Sequence, residues 1–461
     1  METQLATCSV CRQAVPSDKI ALPEDIHDSI KPLLTVNTHG WEPGKDLCTD
    51  CLPRFFRVRD ELSARFPQFA DQELKIVPTP MRLDAPTELR GRGVTVAFLD
   101  AGFYAHPDLT QPSNRILKYV NVTDRARASD LKKPQVSSWH GMMTSVVAAG
   151  NGFLSDGLYR GIASEANLVL VKVGQAARIR HNDILLGLRW VLRNHERYKI
   201  RVVNISCGGD HEASYLFDEL SQAAEEATRA GIIVVAAAGN SGHLPNHPVL
   251  PPASAPSVIT VGGLDDKNNL DFDDNDMYRS SYGPTVDGLQ KPELIAPGIW
   301  VAAPILPGTP TAEQAKLLSI LEYAPDSQLR EIIKKNPGID EDLDHAIDLP
   351  VYHLRHLVWI KIRDNNVISG HYKHVDGTSF AAPIVSSIVA QMLEAIPDLK
   401  PHEAKLALIR TAVRLPNTPV DRQGWGMVHP RAAIFAALQI RSERENGARG
   451  KSNGRSRRKL N

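Results

Sequence analysis

Five short, almost uninterrupted apolar runs constrain this chain more than anything else in it. They are VTVAFLD from Val94, NLVLVKV (Asn167–Val173), RVVNIS (Arg201–Ser206), GIIVVAAAG (Gly231–Gly239) and VITVGG (Val258–Gly263). Each has strand length and is apolar at consecutive rather than alternate positions, so both faces of each strand need cover. Helical periodicity lies between several of them. It is clearest over Ser214–Ala230, where Leu216, Leu220, Ala223, Ala227 and Ala230 mark one face and Gly231 supplies the stop. This alternation predicts an α/β domain, a mostly parallel sheet with helices on both faces. Such sheets carry their chemistry at the carboxyl ends of their strands.

The 461 residues leave room for more than that one core. Lys+Arg and Asp+Glu both number 53, so no global field steers the chain to nucleic acid or a membrane. No apolar run approaches the ~18 residues of a membrane span, so no membrane partner is expected. The opening METQLATCSVC lacks the basic-then-apolar pattern of a secretory signal, and a cytoplasmic location is expected.

Four of the five cysteines form two C-x-x-C pairs, Cys8/Cys11 and Cys48/Cys51, with 36 residues between the pairs. Two such turns aim four thiolates at one ion, which predicts a structural zinc site. Two disulfides or a redox-active pair are the alternatives. Disulfides suit a secreted chain better, and neither pair follows a strand and opens a helix as a redox motif does. The expected organisation is a zinc-stapled module over 1–75, a Pro-rich and polar lead-in over 76–92 and the main domain over 93–440. Within the module, Pro53–Phe69 has short helical periodicity with Phe56, Leu62 and Phe66 aligned.

Three residues stand where such a sheet does chemistry. Asp100 ends the strand VAFLD, His140 precedes a small-residue helix in SSWHGMMTSVVAAG, and Ser379 opens another in HVDGTSFAAPIVSSIVAQML. Singly, each reads as a cap or a structural group. Together they supply a nucleophile, a base and an orienting carboxylate. Asn240, after the strand in VVAAAGNSG, adds an amide able to donate to a developing oxyanion.

With VAFLDAG, HGMMTSVVAAG, AAAGN and GTSFAAP in this order, the chain resembles the subtilisin-like serine proteases, the subtilases, over roughly Leu89 to Leu438. The resemblance implies a serine endopeptidase acting on protein or peptide substrates, with Asp100, His140 and Ser379 as the triad. Asn240 and the Ser379 backbone N–H would form the oxyanion hole. NISCGGD is similar to the family's substrate-pairing strand, so Ser206, Cys207 and Gly208 would bind extended substrate through their backbones. Four positions depart from the pattern. Ala101 replaces the usual Ser or Thr, Met142 a Thr, Phe380 the common Met, and Ala382 a Ser or Thr.

Several features have no family counterpart. An insertion at about 305–370 carries TAEQAKLLSILEYAPDSQLREIIKK, which reads as two helices, either a surface elaboration or a wall over the cleft. DDKNNLDFDDNDMY supplies Asp265, Asp266, Asp271, Asp273, Asp274 and Asp276. Calcium there is conceivable, but no EF-hand spacing supports it and a solvated loop is expected. The tail from Arg441 has eight Lys/Arg and two Glu, reads as disordered and offers a contact for nucleic acid. The zinc module offers a surface for a regulatory partner, and the module or lead-in is a candidate cover for the cleft.

Overall fold

The computed structural model describes residues 5–457 apart from positions 12, 23–25, 39–41, 43–44, 68–73, 124–130, 176–177 and 273, with side chains described as far as Glu445. Its centre is an eight-stranded, mostly parallel sheet. After a small hairpin of β1 (Leu5–Thr7) and β2 (Ala14–Pro16), the sheet uses β3 (Thr95–Asp100), β4 (Ile116–Asn121), β5 (Asn167–Lys172), β6 (Ile200–Ile205), β7 (Ile233–Ala237), β8 (Ile259–Asp265), β9 (Asp276–Met277) and β10 (Leu294–Pro297). The order is β9-β8-β7-β6-β3-β5-β4, with β10 also paired to β8. Only β9 is antiparallel to its sheet neighbour. All five apolar runs are strands of this sheet.

Alternation along β3 shows how both faces are filled. Val96 and Phe98 join the core under α3 (Ser138–Ala149) and α10 (Thr378–Ala395). Ala97 and Leu99 join the opposite core under α4 (His181–Tyr198) and α5 (Glu219–Arg229). The α5 helix starts later than periodicity alone predicts. The Asp218 side chain caps it by accepting the Ser221 N–H, and Leu216 is left exposed. The chain runs outward from β3 in one direction and returns to its other side at β6, so the crevice between those two strand ends is the topological switch point.

The N-terminal segment has its own core, which continues into the main domain through Leu158 and Leu270. It holds helices α1 (Lys31–Asn37) and α2 (Leu52–Arg65), and α2 buries Phe55, Val58 and Leu62, so its inner face is led by Phe55 and not Phe56. The Phe69 limit of the predicted helix lies outside the described residues. Arg54 ties this helix to the Leu270 and Arg82 carbonyls, and buried Arg82 pairs with Asp266. The lead-in is clasped by α10. Glu394 accepts the backbone N–H groups of Arg90, Gly91 and Arg92, and Gln391 donates to Pro86 and Leu89. Those anchors sit about 18–22 Å along the helix from Ser379. Among the described residues, this end of the lead-in is thus fastened to α10 at a distance from Ser379.

The insertion lies between β11 (Val301–Pro304) and β12 (Tyr372–Val375), which pair antiparallel. Its helices α6 (Pro310–Tyr323), α7 (Leu329–Lys335), α8 (Glu341–His345) and α9 (Val351–Asp364) close a separate core around Leu318, Leu321, Ile333 and Leu354. Lys75, at the end of the N-terminal segment, links to it through Glu322 at 2.5 Å. Past α11 (Pro401–Thr411), the final helix, α12 (Pro430–Arg457), continues into the basic stretch expected to be disordered. Arg444 holds its entry by pairing with Glu403 at 3.1 Å and with Asp398, and Arg441 pairs with Glu445 at 2.9 Å. Among the described residues, no helix is long and apolar enough to cross a membrane.

Candidate active site

Asp100, the last residue of β3, is fully buried. Its Oδ1 accepts the Ala101 N–H at 2.7 Å. His140, in the first turn of α3, sets Nδ1 at 2.8 Å and 3.0 Å from the two carboxylate oxygens. That bond leaves Nε2 as the free nitrogen of the ring. Burial alone would lower the imidazole pKa, but the charge and hydrogen bond of Asp100 outweigh it, and the net shift is upward. Gly141 lets helix and strand approach this closely, because a Cβ there would fall 2.2 Å from the Gly102 carbonyl. The ring is flanked by Trp139, edge-on with centroids 5.2 Å apart, and by Phe380 at 5.9 Å.

A support absent from the sequence reading comes from Thr144. Its hydroxyl donates to Asp100 Oδ2 at 3.1 Å. The family's hydroxyl next to the Asp is missing at Ala101, and Thr144, one turn beyond His140, supplies a donor from the helix side. The signal was the i,i+4 spacing from His140 to Thr144.

Ser379 is the second residue of α10. Gly377 leads into it with φ +138°, a backbone that side-chain-bearing residues avoid. In this structure the Ser379 hydroxyl donates to the Ser206 carbonyl at 3.1 Å. It does not hydrogen-bond His140 among the described residues. Uncomplexed sites often leave this contact to form with substrate. The Ser206 hydroxyl in turn donates to the Ser379 carbonyl at 2.9 Å. Pro383 explains that bond. It sits inside α10 without an N–H, so the carbonyl four residues earlier lacks its helical donor. A buried chain from Ser386 through Asn204 to Ser206 completes the lock between β6 and the serine.

Asn240 follows β7. Its Oδ1 accepts both the Thr378 N–H and hydroxyl at 2.9 Å. The amide is thereby oriented, and Nδ2 has no protein acceptor among the described residues. Neither does the Ser379 backbone N–H, one of the unpaired donors at the start of a helix. Both lie 3.8 Å from where a Cβ on Gly377 would sit, so the two donors share one side of that glycine. They face a cavity of about 290 Å³ lined by Ser206, Cys207, Gly208, Leu250 and Ser281 among others, with no charged side chain. Gly208 is exposed, and Cys207 is half-buried with its thiol pushed well above the ordinary range by burial. This thiol is a wall and not a nucleophile.

The four N-terminal cysteines converge independently of this crevice. Their sulfurs all lie within 4.8 Å of one another. Cys11 and Cys48 are 3.8 Å apart, far beyond a disulfide bond and close to the about 3.8 Å that a tetrahedral zinc with 2.3 Å bonds imposes. Cys8 accepts backbone N–H groups from Val10 and Cys48, as a thiolate ligand would. A hydrogen bond from the Cys51 thiol holds Cys8 down at about 4, whereas burial pushes Cys11 up to about 12. A bound cation would favour full ionisation of the cage. The acidic loop is spent otherwise. Asp266 pairs with Arg82, Asp265 with Lys267 and Trp300, and Asp274 with Asn269. Its carboxylates form no metal-binding group among the described residues, and Asp273 lies outside them.

Comparison with known proteins bears on the fold and the family. Serine protease AprX of Bacillus subtilis (strain 168) is 33% identical over 327 residues, covering 69% of this chain and 60% of its own length. The major intracellular serine protease of the same organism is 30% identical over 181 residues, covering 38% of this chain and 52% of its own length. The chain thus spans only about half to three-fifths of these two relatives. Among solved structures, the CspB protease of Clostridium perfringens superposes with a TM-score of 0.56 at 16% identity, covering 79% of this chain and 97% of its own, which speaks for the fold. The Subtilase family matches residues 91–426, most of the polypeptide, and the chain belongs to that family.

Proposed function

We propose that this chain is a serine endopeptidase that hydrolyses peptide bonds in proteins or peptides. Substrate would lie extended along Ser206, Cys207 and Gly208. Ser379 Oγ leaves the Ser206 carbonyl, passes its proton to His140 Nε2 and attacks the scissile carbonyl carbon. Asn240 Nδ2 and the Ser379 N–H receive the oxyanion, and Asp100 steadies the imidazolium. The proton then moves to the leaving amine as the C–N bond breaks. Water repeats the sequence on the acyl-enzyme. The uncharged cavity suits a small or apolar residue before the cut.

One observation supports the reading: an Asp-paired imidazole packs against Phe380, the residue after Ser379, while two acceptor-free N–H donors, one of them the serine's own, flank Gly377 just before it. A fluorophosphonate probe is expected to label wild type and not Ser379→Ala. A folded wild type that resists the probe refutes the assignment. A second reading, a peptide-binding scaffold without turnover, draws on the resting bond from Ser379 to Ser206. Labelling without any hydrolysis of casein would favour it.

We further propose zinc in the Cys8, Cys11, Cys48 and Cys51 cage, as a staple for the N-terminal segment. What supports it is the 3.8 Å sulfur spacing. Elemental analysis should find about one zinc per chain, lost in a Cys8→Ser/Cys48→Ser double variant. We also propose a cytoplasmic location, because a four-thiolate cage is best kept where thiols stay reduced.

A further inference from the structure

We propose that His181, His211 and Asp218 form a second cation site, for a zinc-class divalent ion, beside the segment that follows the substrate-pairing residues. The three come from different elements: His181 opens α4, His211 lies in the following connection, and Asp218 caps α5. Their donor atoms all lie within 4.8 Å of one another. Asp218 is already fixed as a ligand. One of its oxygens accepts the Ser221 N–H at 2.7 Å, and the other faces His181 Nε2 at 2.8 Å. The two imidazoles stack with centroids 4.9 Å apart. A cavity of about 430 Å³ opens beside them, with Leu185 and Phe217 on its wall.

Two imidazoles and one carboxylate are the donor set of zinc and its neighbours, not of calcium or magnesium. A tetrahedral zinc with bonds of 2.0–2.1 Å holds its donors about 3.3 Å apart. The His181–Asp218 pair would open by a few tenths of an ångström. His211, which is exposed, can swing to meet the ion, and water completes the shell. The amino ends of α4 and α5 oppose a cation, but weakly at an exposed edge. Asp210, which accepts the His181 N–H at 3.0 Å, and Glu219 on the cavity wall join Asp218 in offsetting them.

The position gives the ion a mechanical role. The His181 ring lies against the backbone of Gly209, and the Gly209 N–H donates to the Pro251 carbonyl. A bound ion would tie the connection after Gly208 to α4 and α5 at once. The site's existence does not depend on the protease reading.

The test uses the full chain with its cysteine cage saturated with zinc. Further zinc is titrated against a chromophoric chelator, and hydrogen exchange is followed over residues 206–218. Wild type is expected to bind one additional equivalent and to slow exchange in that segment. His211→Ala, a change at an exposed side chain, should weaken that equivalent at least tenfold and abolish the protection. Equal stoichiometry and affinity in the two proteins would overturn the site. Zinc bound without any protection would overturn the tie.

Discussion

The substitution Thr144→Val removes one hydroxyl and almost no volume, so it isolates the donor that Asp100 receives from α3. The bond runs to a buried carboxylate at 3.1 Å, and the Gly141 carbonyl competes for the same proton at 3.2 Å. A hydrogen bond to a charged group contributes about 1.5–3 kcal/mol, and the shared proton argues for the lower end. We expect a loss of about 1.5 kcal/mol, or about 2 °C in Tm for a domain of this size. Catalysis should suffer less. The Ala101 N–H still holds Oδ1 at 2.7 Å, and His140 Nδ1 touches both oxygens, so the tautomer survives. A fall in kcat/KM of no more than about tenfold is expected, against about 10⁴ when the tautomer is lost. Ala101→Ser restores a hydroxyl on the strand side, and it should help the Thr144→Val background more than wild type. Denaturant melts and peptide hydrolysis of the four proteins complete the cycle. Unchanged stability in Thr144→Val, or no coupling between the sites, would refute the argument that the helix hydroxyl substitutes for the missing strand hydroxyl.

Three further outcomes can be measured directly. Asn240→Ala should lower kcat by about 10²–10³ with little change in KM, the effect established for such a donor in a subtilisin; an equal loss carried by KM would remove Asn240 from the oxyanion role. Hydrolysis should rise with pH through a midpoint above the ordinary imidazole value of 6.5, because Asp100 raises His140 and only the neutral ring accepts the serine proton. The same pair stabilises the fold most fully below 6.5 and loses that contribution as pH rises through the raised value, so activity and this part of stability change in opposite directions; a midpoint at or below 6.5 would contradict the pairing. Chelating the cysteine cage should release the segment around Cys8 and Cys48 to protease attack while Ser379 stays reactive, since the described anchors of the lead-in lie near Glu394; simultaneous loss of fluorophosphonate labelling would show that the cage supports the crevice itself.

The sheet, and the positions of the three groups proposed to react, were legible because their signals are local. An apolar run announces a strand, and Asp100, His140 and Ser379 each stand at a junction where such a run or helix begins or ends. The groups that finish the site were not legible, because each is chosen by a partner far along the chain. Thr378 orients Asn240 across 138 positions, and Ser206 answers the carbonyl of Ser379 across 173. The need for Ser206 could still be argued from sequence, since Pro383 guarantees one helical carbonyl without a donor. What sequence could not say is which hydroxyl would meet it. The inner face of α2 was also misread. Phe55 turns fully inward, whereas Phe56, which periodicity favoured, is only partly buried against the same core. The tail was read from its charge alone, whereas Asp398 and Glu403 on the preceding segment pair with Arg441 and Arg444 at its start. In each case the residue type was informative about what it needed, and only the fold determined who supplied it. A serine whose carbonyl, hydroxyl and neighbouring amide are all held by Ser206 and Asn240 is therefore set by the packing of α10 on the sheet. Weakening that packing at Ser386 or Asn204, remote from substrate, should loosen the nucleophile before it unfolds the domain.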